Sequence, residues 1–344
     1  MRGVGFQEHG GLESVRWVDI PEPTPGPGEV RIRLRAAGFN RVDLFTLRGI
    51  PGVTIERPHV LGSDGAGTVD ALGPGIEDLP TGTEVLLNPG IWDGRCDACL
   101  AGDEALCRDY RILGEHTQGT ATTHVVVPRR NVYPRPEGLG PEEAAAAPLV
   151  FLTAWRAIRT VGALRPGETC GIVGAGGGVA TAAIQVAHHL GARVVAVTRS
   201  AEKAERARAL GADEALVFSD EAPLDKLLWQ WSQKRGIDVI LDSVGRPTVP
   251  RSLRALARGG RLVVVGATAG PLAEIDLRTL FWRQASVRGS TMAGRREFEE
   301  MLEAVRAGHL KPTIDTILPW DRGPEALVRL ASEEKFGKVV LTVG

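Results

Sequence analysis

One segment, residues 166–203, constrains the fold more than any other part of the chain. It opens with a Pro-Gly turn and an apolar run, Thr169–Val173, that predicts a strand. A glycine-rich turn follows over 174–180, and small or apolar residues then recur at helical spacing up to Gly191. A second apolar run over 193–197 completes a strand–turn–helix–strand unit. Such a unit predicts two parallel strands joined by a crossover helix.

The glycines suit this turn because a tight strand-to-helix connection exposes unpaired N–H groups at the start of the helix. These groups and the helix dipole form an anion site, and missing side chains let a pyrophosphate approach the backbone. The dinucleotide pattern fits two registers, Gly174-x-Gly176-x-x-Val179 and Ala175-x-Gly177-x-x-Ala180. We prefer the second, because small residues then occupy all three demanding positions. A glycine-rich turn of another doubly wound fold, such as a methyltransferase, is the alternative.

The composition excludes several classes of partner. A formal net charge of −1 offers no electrostatic footprint for nucleic acid or an anionic membrane. Residues 1–8 lack the apolar core of a signal peptide, and no apolar run is long enough to span a bilayer. We therefore expect a cytoplasmic protein with a small-molecule substrate and no nucleic-acid or membrane partner. Its 344 residues are enough for two domains with substantial cores.

The patterns before and after the glycine turn predict an inserted domain. Residues 1–148 read mainly as antiparallel strands and turns, together with one cysteine-rich lobe. Residues 149–288 alternate apolar strands with helices, which predicts a parallel sheet covered on both faces. The pattern changes again over 289–344. We expect an α/β chain in which a doubly wound parallel sheet of the Rossmann type is inserted in a β-rich, barrel-like domain.

Six segments together carry a family resemblance that covers nearly the whole chain. They are Ala36-Ala37-Gly38-x-Asn40-x-x-Asp43, Gly62-x-Asp64-x-x-Gly67, and residues 152–155, 174–185, 259–266 and 336–341. With these segments the chain resembles the medium-chain dehydrogenase/reductase superfamily, which includes zinc alcohol dehydrogenases and quinone oxidoreductases. The resemblance implies a GroES-like β-barrel catalytic domain around the Rossmann domain. It also implies an oxidoreductase that uses a nicotinamide cofactor.

The resemblance locates the catalytic metal site of the zinc-dependent members. Those members carry a cysteine at the position of Asn40, a His-Glu pair at Ser63-Asp64, and a third ligand near Leu149. A catalytic zinc needs three ligands from Cys, His, Asp or Glu and one open position. We therefore expect no catalytic zinc, as in the quinone oxidoreductase branch. The alternative is an alcohol dehydrogenase whose metal is held by an unusual set, such as Asp64, His59 or His116.

A separate lobe resembles the structural zinc site of the same superfamily. Zinc-containing members have four cysteines there, separated by two, two and seven residues. In this chain Asp93 fills the first position, and Cys96, Cys99 and Cys107 fill the others. An aspartate oxygen is a legitimate zinc ligand, and clustered cysteines in a cytosolic protein suggest metal binding rather than disulfides. One structural zinc is favoured, with reduced thiols and no metal as the alternative.

The resemblance and the glycine turn together give a set of cofactor-contacting residues. The set is Thr153, Ala175, Gly176, Gly177, Gly178, Val179, Arg199, Lys203, Gly266 and Ser290. An NAD site usually ends its second strand with an acidic residue, whereas here Arg199 follows the strand and Lys203 lies on the next helical turn. NADP(H) is therefore favoured over NAD(H). In the alternative, both cations are solvated and Glu202 contacts the ribose.

We expect hydride transfer from the cofactor to a quinone, an activated C=C bond or a carbonyl. Asn40 is the candidate to bind the nicotinamide ribose or the substrate carbonyl. Asp43 is the second catalytic candidate, with helix capping or pairing with an arginine as its alternative. The proton donor is unassigned: Tyr110 and Tyr133 occupy no recognised donor position, and His116 is a loop histidine. A dinucleotide-binding sensor or scaffold without turnover is the alternative of a different class.

The segment 285–292 is expected to form a strand at the edge of the cofactor-domain sheet. In the superfamily such an edge usually pairs across a two-fold axis, which covers its unpaired backbone groups. A homodimer is therefore expected, with a tetramer as the larger alternative.

Overall fold

The computed structural model describes residues 1–344 and divides into two compact units. The first unit comprises residues 1–149, 293–302 and 311–344. The second comprises residues 150–292 and 303–310. Each unit has a hydrophobic core of its own. No helix in the chain combines the length and the apolar character needed to cross a membrane.

Eighteen strands and eleven helices make up the two units. The strands are β1 (Arg2–Phe6), β2 (Arg16–Asp19), β3 (Glu29–Phe39), β4 (His59–Val60), β5 (Asp64–Leu72), β6 (Glu84–Leu87), β7 (Gly90–Ile91), β8 (Arg111–Ile112), β9 (His124–Pro128), β10 (Val132–Pro134), β11 (Thr169–Val173), β12 (Arg193–Thr198), β13 (Glu214–Val217), β14 (Ile237–Asp242), β15 (Leu256–Val264), β16 (Ser286–Gly289), β17 (Ile314–Leu318) and β18 (Lys338–Thr342). The helices are α1 (Arg41–Arg48), α2 (Asp97–Leu100), α3 (Pro141–Ala146), α4 (Pro148–Trp155), α5 (Gly178–His189), α6 (Ala201–Ala209), α7 (Leu224–Trp231), α8 (Val249–Ala255), α9 (Leu277–Arg283), α10 (Arg295–Arg306) and α11 (Glu325–Ala331).

The first unit is organised around the long strand β3. Its sheet runs in the order β10-β6-β5-β3-β18-β17, and β9 also pairs with β3. Alternate residues of β3, Val30, Ile32 and Leu34, are buried in the core, as expected for a strand with one core-facing side. The C-terminal strand β18 pairs antiparallel with the end of β3, so that Val339 lies opposite Phe39. This register brings the start of β18 beside the start of α1.

The second unit contains one six-stranded sheet in the order β13-β12-β11-β14-β15-β16. All five strand pairs are parallel. This is the strand order of two dinucleotide-binding halves that meet between β11 and β14. The Rossmann doubly wound sheet predicted from the sequence is confirmed. The strand predicted at the sheet edge is β16, which covers only Ser286–Gly289.

The strand–helix boundary near residue 256 differs from the sequence prediction. The periodicity predicts a helix over 251–257, but α8 ends at Ala255 and β15 begins at Leu256. Leu256 already pairs with Ile237, and a register shift separates this pair from the rest of the ladder. Gly259 has a φ of 70°, which a glycine adopts without strain. The first part of β15 is therefore irregular, and regular pairing with β14 resumes after this glycine.

Candidate active site

Asn40 and Asp43 lie at the start of α1, where they form a helix cap. The backbone N–H of Asn40 donates a hydrogen bond of 2.7 Å to Asp43 Oδ2. The other oxygen, Oδ1, accepts a 2.7 Å hydrogen bond from the N–H of Gly62. Complete burial raises the pKa of Asp43 to about 7, although these two N–H groups and Lys338 lower it. The capping role that the sequence left open for Asp43 is therefore present in the structure.

A buried lysine lies beside this helix start. Lys338 Nζ donates hydrogen bonds of 2.6 Å to Asn40 Oδ1 and of 2.6 Å to Asp64 Oδ2. Asn40 Nδ2 donates to the same Asp64 oxygen at 2.9 Å. The side chain of Lys338 is 2% exposed and that of Asp64 is fully buried. We call Asn40, Asp64 and Lys338 the lysine cluster.

The lysine cluster does not fit a catalytic zinc ion. Asp64 Oδ1 accepts the N–H of Leu149 at 2.7 Å, so both carboxylate oxygens already have partners. The ammonium group of Lys338 repels a second cation at this place. The remaining positions offer the Asn40 amide, the Ser63 hydroxyl and the Leu149 side chain, which do not make a zinc-ligand set.

Two histidines of the unusual metal set considered from the sequence contact the protein backbone. His59 Nε2 lies 3.0 Å from the carbonyl oxygen of Gly114. His116 Nδ1 accepts the backbone N–H of Ile112 at 3.2 Å. Each histidine therefore uses a ring nitrogen on the protein backbone.

The cysteine lobe, in contrast, fits a structural zinc. The ligand atoms of Asp93, Cys96, Cys99 and Cys107 all lie within 4.8 Å of one another, and the first two sulfurs are 3.6 Å apart. A tetrahedral zinc with sulfur ligands at about 2.3 Å separates them by about 3.8 Å. Asp93 Oδ1 accepts the N–H groups of Arg95 and Cys96, which hold the pKa of that carboxyl well below its usual range. Asp93 Oδ2 is buried without a hydrogen-bond partner, as a metal ligand would be.

The glycine turn of the second unit fits the pyrophosphate of a dinucleotide. Gly177 is the N-cap residue of helix α5. Because glycine has no side chain, it does not cap the first N–H groups of the helix, which can therefore bind a phosphate. A Cβ on Gly177 would have one neighbour within 4 Å, the Gly174 carbonyl oxygen at 3.9 Å, so this position is not crowded by the protein. A Cβ on Gly176 would lie 2.8 Å from the Lys203 side chain, which therefore packs against the turn. Ser200 caps α6 by accepting the N–H of Lys203 at 3.3 Å.

The other predicted cofactor residues lie in the same unit. Arg199, Gly266 and Ser290 follow the carboxyl ends of β12, β15 and β16, the sheet edge at which doubly wound folds bind ligands. Ser290 donates its N–H to Val264 at 3.0 Å, while its hydroxyl group is buried without a partner. The Thr153 hydroxyl lies 3.6 Å from the sulfur of Met292. Gly174, Ala175, Gly178 and Val179 complete the turn and the start of α5.

Lys338 is the member of the lysine cluster that the sequence analysis did not single out. It belongs to the closing segment 336–341, which contributed only to the family resemblance. The sequence did contain a signal, since Lys338 directly precedes the apolar run Val339-Val340-Leu341. A lysine next to a buried strand is itself expected to be buried only if it has a polar or charged partner.

Comparison with known proteins agrees with this architecture. Residues 26–137 match the alcohol dehydrogenase GroES-like domain, and residues 178–307 match the zinc-binding dehydrogenase domain. An acryloyl-coenzyme A reductase of Metallosphaera sedula is 32% identical over 347 residues, covering 99% of this chain and 100% of the relative. A solved NAD-dependent alcohol dehydrogenase is 42% identical, with a TM-score of 0.95 and full coverage of both chains. A crotonyl-CoA carboxylase/reductase, AntE V350A in complex with NADP, is 26% identical with a TM-score of 0.90 over 99% of this chain and 94% of that one.

The fold and these matches define an NAD(P)-dependent oxidoreductase with a GroES-like domain and a Rossmann domain. The chain belongs to the medium-chain dehydrogenase/reductase superfamily, as its sequence motifs predict. Its place in the quinone oxidoreductase branch stays a prediction.

Proposed function

We propose that this chain reduces the C=C bond of an α,β-unsaturated carbonyl compound with NADPH, without a catalytic metal ion. The lysine cluster is the observation that carries this proposal. Addition of hydride to the β-carbon moves negative charge to the carbonyl oxygen, where positioned N–H donors stabilise it. Oxidation of an alcohol instead requires a lowered alcohol pKa, which a metal ion supplies.

Asn40 is the residue that we propose to bind the substrate oxygen. Its Oδ1 accepts from Lys338, which fixes the orientation of the amide, and one Nδ2 hydrogen is donated to Asp64. The second Nδ2 hydrogen is left for a carbonyl oxygen. Asn40 is 5% exposed, so such a hydrogen bond would form in a largely dehydrated environment.

The bound nicotinamide supplies the hydride. The N-terminus of α5 would hold its pyrophosphate, and Arg199 and Lys203 would pair with a 2′-phosphate. The contact between Lys203 and the glycine turn supports the NADPH preference, because it keeps a cation beside the predicted phosphate site. NADH is the alternative.

Relatives support an unsaturated acyl substrate, since one is named an acryloyl-coenzyme A reductase and another a crotonyl-CoA carboxylase/reductase. The 42% identical alcohol dehydrogenase favours a second candidate, the interconversion of an alcohol and an aldehyde. That candidate requires a catalytic metal at a place where the lysine cluster offers no ligand set.

The test is NADPH oxidation with acryloyl-coenzyme A, cyclohex-2-enone, 1,4-benzoquinone and butanal, each measured with and without EDTA. We expect the protein to reduce an unsaturated carbonyl compound even in the presence of EDTA. We also expect this reduction to be faster with NADPH than with NADH. Replacement of Lys203 by Ala should raise the KM for NADPH about tenfold and change the KM for NADH little. Turnover with butanal alone that EDTA abolishes would favour the alcohol dehydrogenase candidate.

We also propose that the chain acts as a homodimer joined at β16. This strand lies at the edge of the six-stranded sheet, and Val287 on it is 39% exposed. The preceding helix α9 carries three exposed apolar residues, Leu277, Phe281 and Trp282, and Trp282 is 70% exposed. A second copy would pair with the open edge and cover this apolar surface.

A further inference from the structure

The cysteine lobe contains two thiols that already lie close together. Cys96 and Cys99 are separated by two residues at the start of α2, and their sulfur atoms are 3.6 Å apart. A disulfide bond is about 2.05 Å long, so this pair needs only a short movement to form one. Both residues are partly exposed, and a small oxidant in solution can therefore reach them.

The other two cysteines are less accessible. Cys107 lies in the same lobe but is only 6% exposed. Cys170 is completely buried on β11 of the second unit, where burial raises the pKa of its thiol to about 12. The reactive form of a cysteine is the thiolate, so Cys170 is unreactive at neutral pH.

The fourth member of the lobe, Asp93, limits what oxidation can do there. A carboxylate cannot form a disulfide, so the lobe has three thiols and can form one internal disulfide at most. Asp93 Oδ1 accepts the N–H groups of Arg95 and Cys96, which hold the carboxylate beside the thiol pair. A disulfide between Cys96 and Cys99 would leave two of the four zinc ligands, Asp93 and Cys107, whereas a structural zinc requires four.

The segment between residues 99 and 107 also contacts the start of α10 in the same unit. Glu104 Oε2 accepts the N–H of Arg295 at 3.2 Å. A Cβ on Gly294 would lie 2.1 Å from this oxygen, so the two segments are tightly packed. A change in the lobe should therefore reach the first turn of α10.

We propose that Cys96 and Cys99 form an oxidation site for hydrogen peroxide, and that the resulting disulfide releases a zinc ion held by the lobe. One thiolate attacks an oxygen of the peroxide, and the O–O bond breaks to give a sulfenic acid and hydroxide. The second thiolate then attacks the sulfenic sulfur, so that the S–S bond forms and a second hydroxide leaves. Two protons convert the hydroxides to water; two sulfurs are oxidised and one peroxide is reduced. A dithiol reverses the step by thiol–disulfide exchange.

The experiment treats the purified chain, loaded with zinc beforehand, with hydrogen peroxide in the absence of NADPH. Thiol titration and peptide mapping under non-reducing conditions follow the cysteines, and a chromogenic chelator follows released zinc. We expect loss of two of the four thiols, a disulfide between Cys96 and Cys99, and release of about one zinc ion in step with thiol loss. Dithiothreitol and added zinc should restore the starting state. The first turn of α10 should exchange its amide hydrogens faster in the oxidised protein.

Three variants identify the thiols that react. Cys170→Ser should lose two thiols and form the same disulfide as the wild type. Cys107→Ser, which removes the third thiol of the lobe, should form this disulfide as well. Asp93→Cys supplies a fourth thiol to the lobe and should lose four thiols, forming two disulfides. Loss of only two thiols in Asp93→Cys would overturn the limit assigned to Asp93.

Several results with the wild-type protein would overturn the proposal. They are four intact thiols, conversion of the thiols to sulfinic acids without a disulfide, and a disulfide that includes Cys107. Zinc that stays bound after the disulfide has formed would overturn the link between oxidation and metal release. None of these results depends on the reduction proposed above, because no substrate or cofactor is present.

Discussion

At the scale of single residues, the lysine cluster of the first unit contains a buried pair of opposite charges. A lysine ammonium removed from water is unfavourable unless strong partners replace its hydration. Lys338 has two such partners, the Asn40 carbonyl oxygen and the Asp64 carboxylate, both at 2.6 Å. Because Asp64 is fully buried as well, either residue without the other would leave an uncompensated charge. The pair therefore couples the stability of the first unit to the orientation of Asn40.

Replacement of Lys338 by Met tests this coupling. We expect the free energy of unfolding to fall by about 3 kcal/mol or more, because Asp64 loses its counter-charge. We also expect kcat for enone reduction to fall at least about tenfold, since Asn40 is no longer held in place. Urea unfolding and NADPH oxidation measure the two effects.

The control for that variant is Lys226→Met, which removes an exposed lysine. A double variant, Asp64→Asn with Lys338→Met, removes both charges and should recover part of the lost stability but not the activity. Unchanged stability in the single variant would contradict the assigned role of the buried pair.

Burial, together with the charge of Asp43, raises the pKa of Glu115, and this shift makes the stability of the protein depend on pH. In the unfolded chain the pKa of a glutamate is about 4.3, and in the folded protein the pKa of Glu115 is raised to about 7. The folded state therefore holds more protons between these values, and stability falls as the pH rises through this window. Glu115→Gln should flatten that part of the profile and raise stability at pH 8 by as much as about 3 kcal/mol.

Thermal unfolding of the wild-type and Glu115→Gln proteins between pH 4 and 8 measures this difference. Asp43 contributes a slope of the same sign, and because its charge acts on Glu115, the difference between the two proteins includes this coupling. Parallel stability profiles would show that Glu115 titrates as an ordinary surface carboxylate.

At the scale of elements, local sequence patterns and distant contacts were not equally predictable. The glycine turn, its flanking strands and the cysteine lobe are each encoded within a few dozen consecutive residues, so spacing alone indicates them. The lysine cluster joins residues 298 positions apart. It depends on the register between β3 and β18, which no local periodicity specifies. The pairing of Leu256 with Ile237 was missed for the same reason.

The cysteine lobe makes a prediction about metal content. Protein purified without added zinc should carry about one zinc ion per chain. Cys107→Ser should lose the ion, and Asp93→Ala should release it to a weaker chelator than the wild type does. Asp93→Cys should retain it more strongly, because a fourth thiolate replaces a carboxylate. Elemental analysis after graded chelation measures these differences.

A second zinc ion per chain would contradict the assignment of the lysine cluster as a site without metal. Zinc content that is unaffected by Cys107→Ser would place the ion outside the lobe. Loss of the ion should lower the melting temperature, since a structural zinc contributes directly to folding free energy.

At the scale of the whole molecule, the two units carry different candidate sites. The first unit carries the lysine cluster and the cysteine lobe, and the second carries the cofactor turn. Each unit has its own core, so a substitution in the lobe or the cluster acts first on the unit that contains it. The open edge at β16 belongs to the second unit alone.

The proposed homodimer can be tested by removing one backbone N–H group, that of Val287, from this edge. Ser290 donates its N–H to Val264 of the neighbouring strand, and strand alternation directs the N–H of Val287 to the open side. Val287→Pro should therefore leave the six-stranded sheet paired while removing a hydrogen bond from the dimer. Light scattering should find two chains for the wild type and one for this variant. Val287→Thr keeps the N–H and should stay dimeric, whereas a Val287→Pro dimer as tight as the wild type would place the contact elsewhere on the surface.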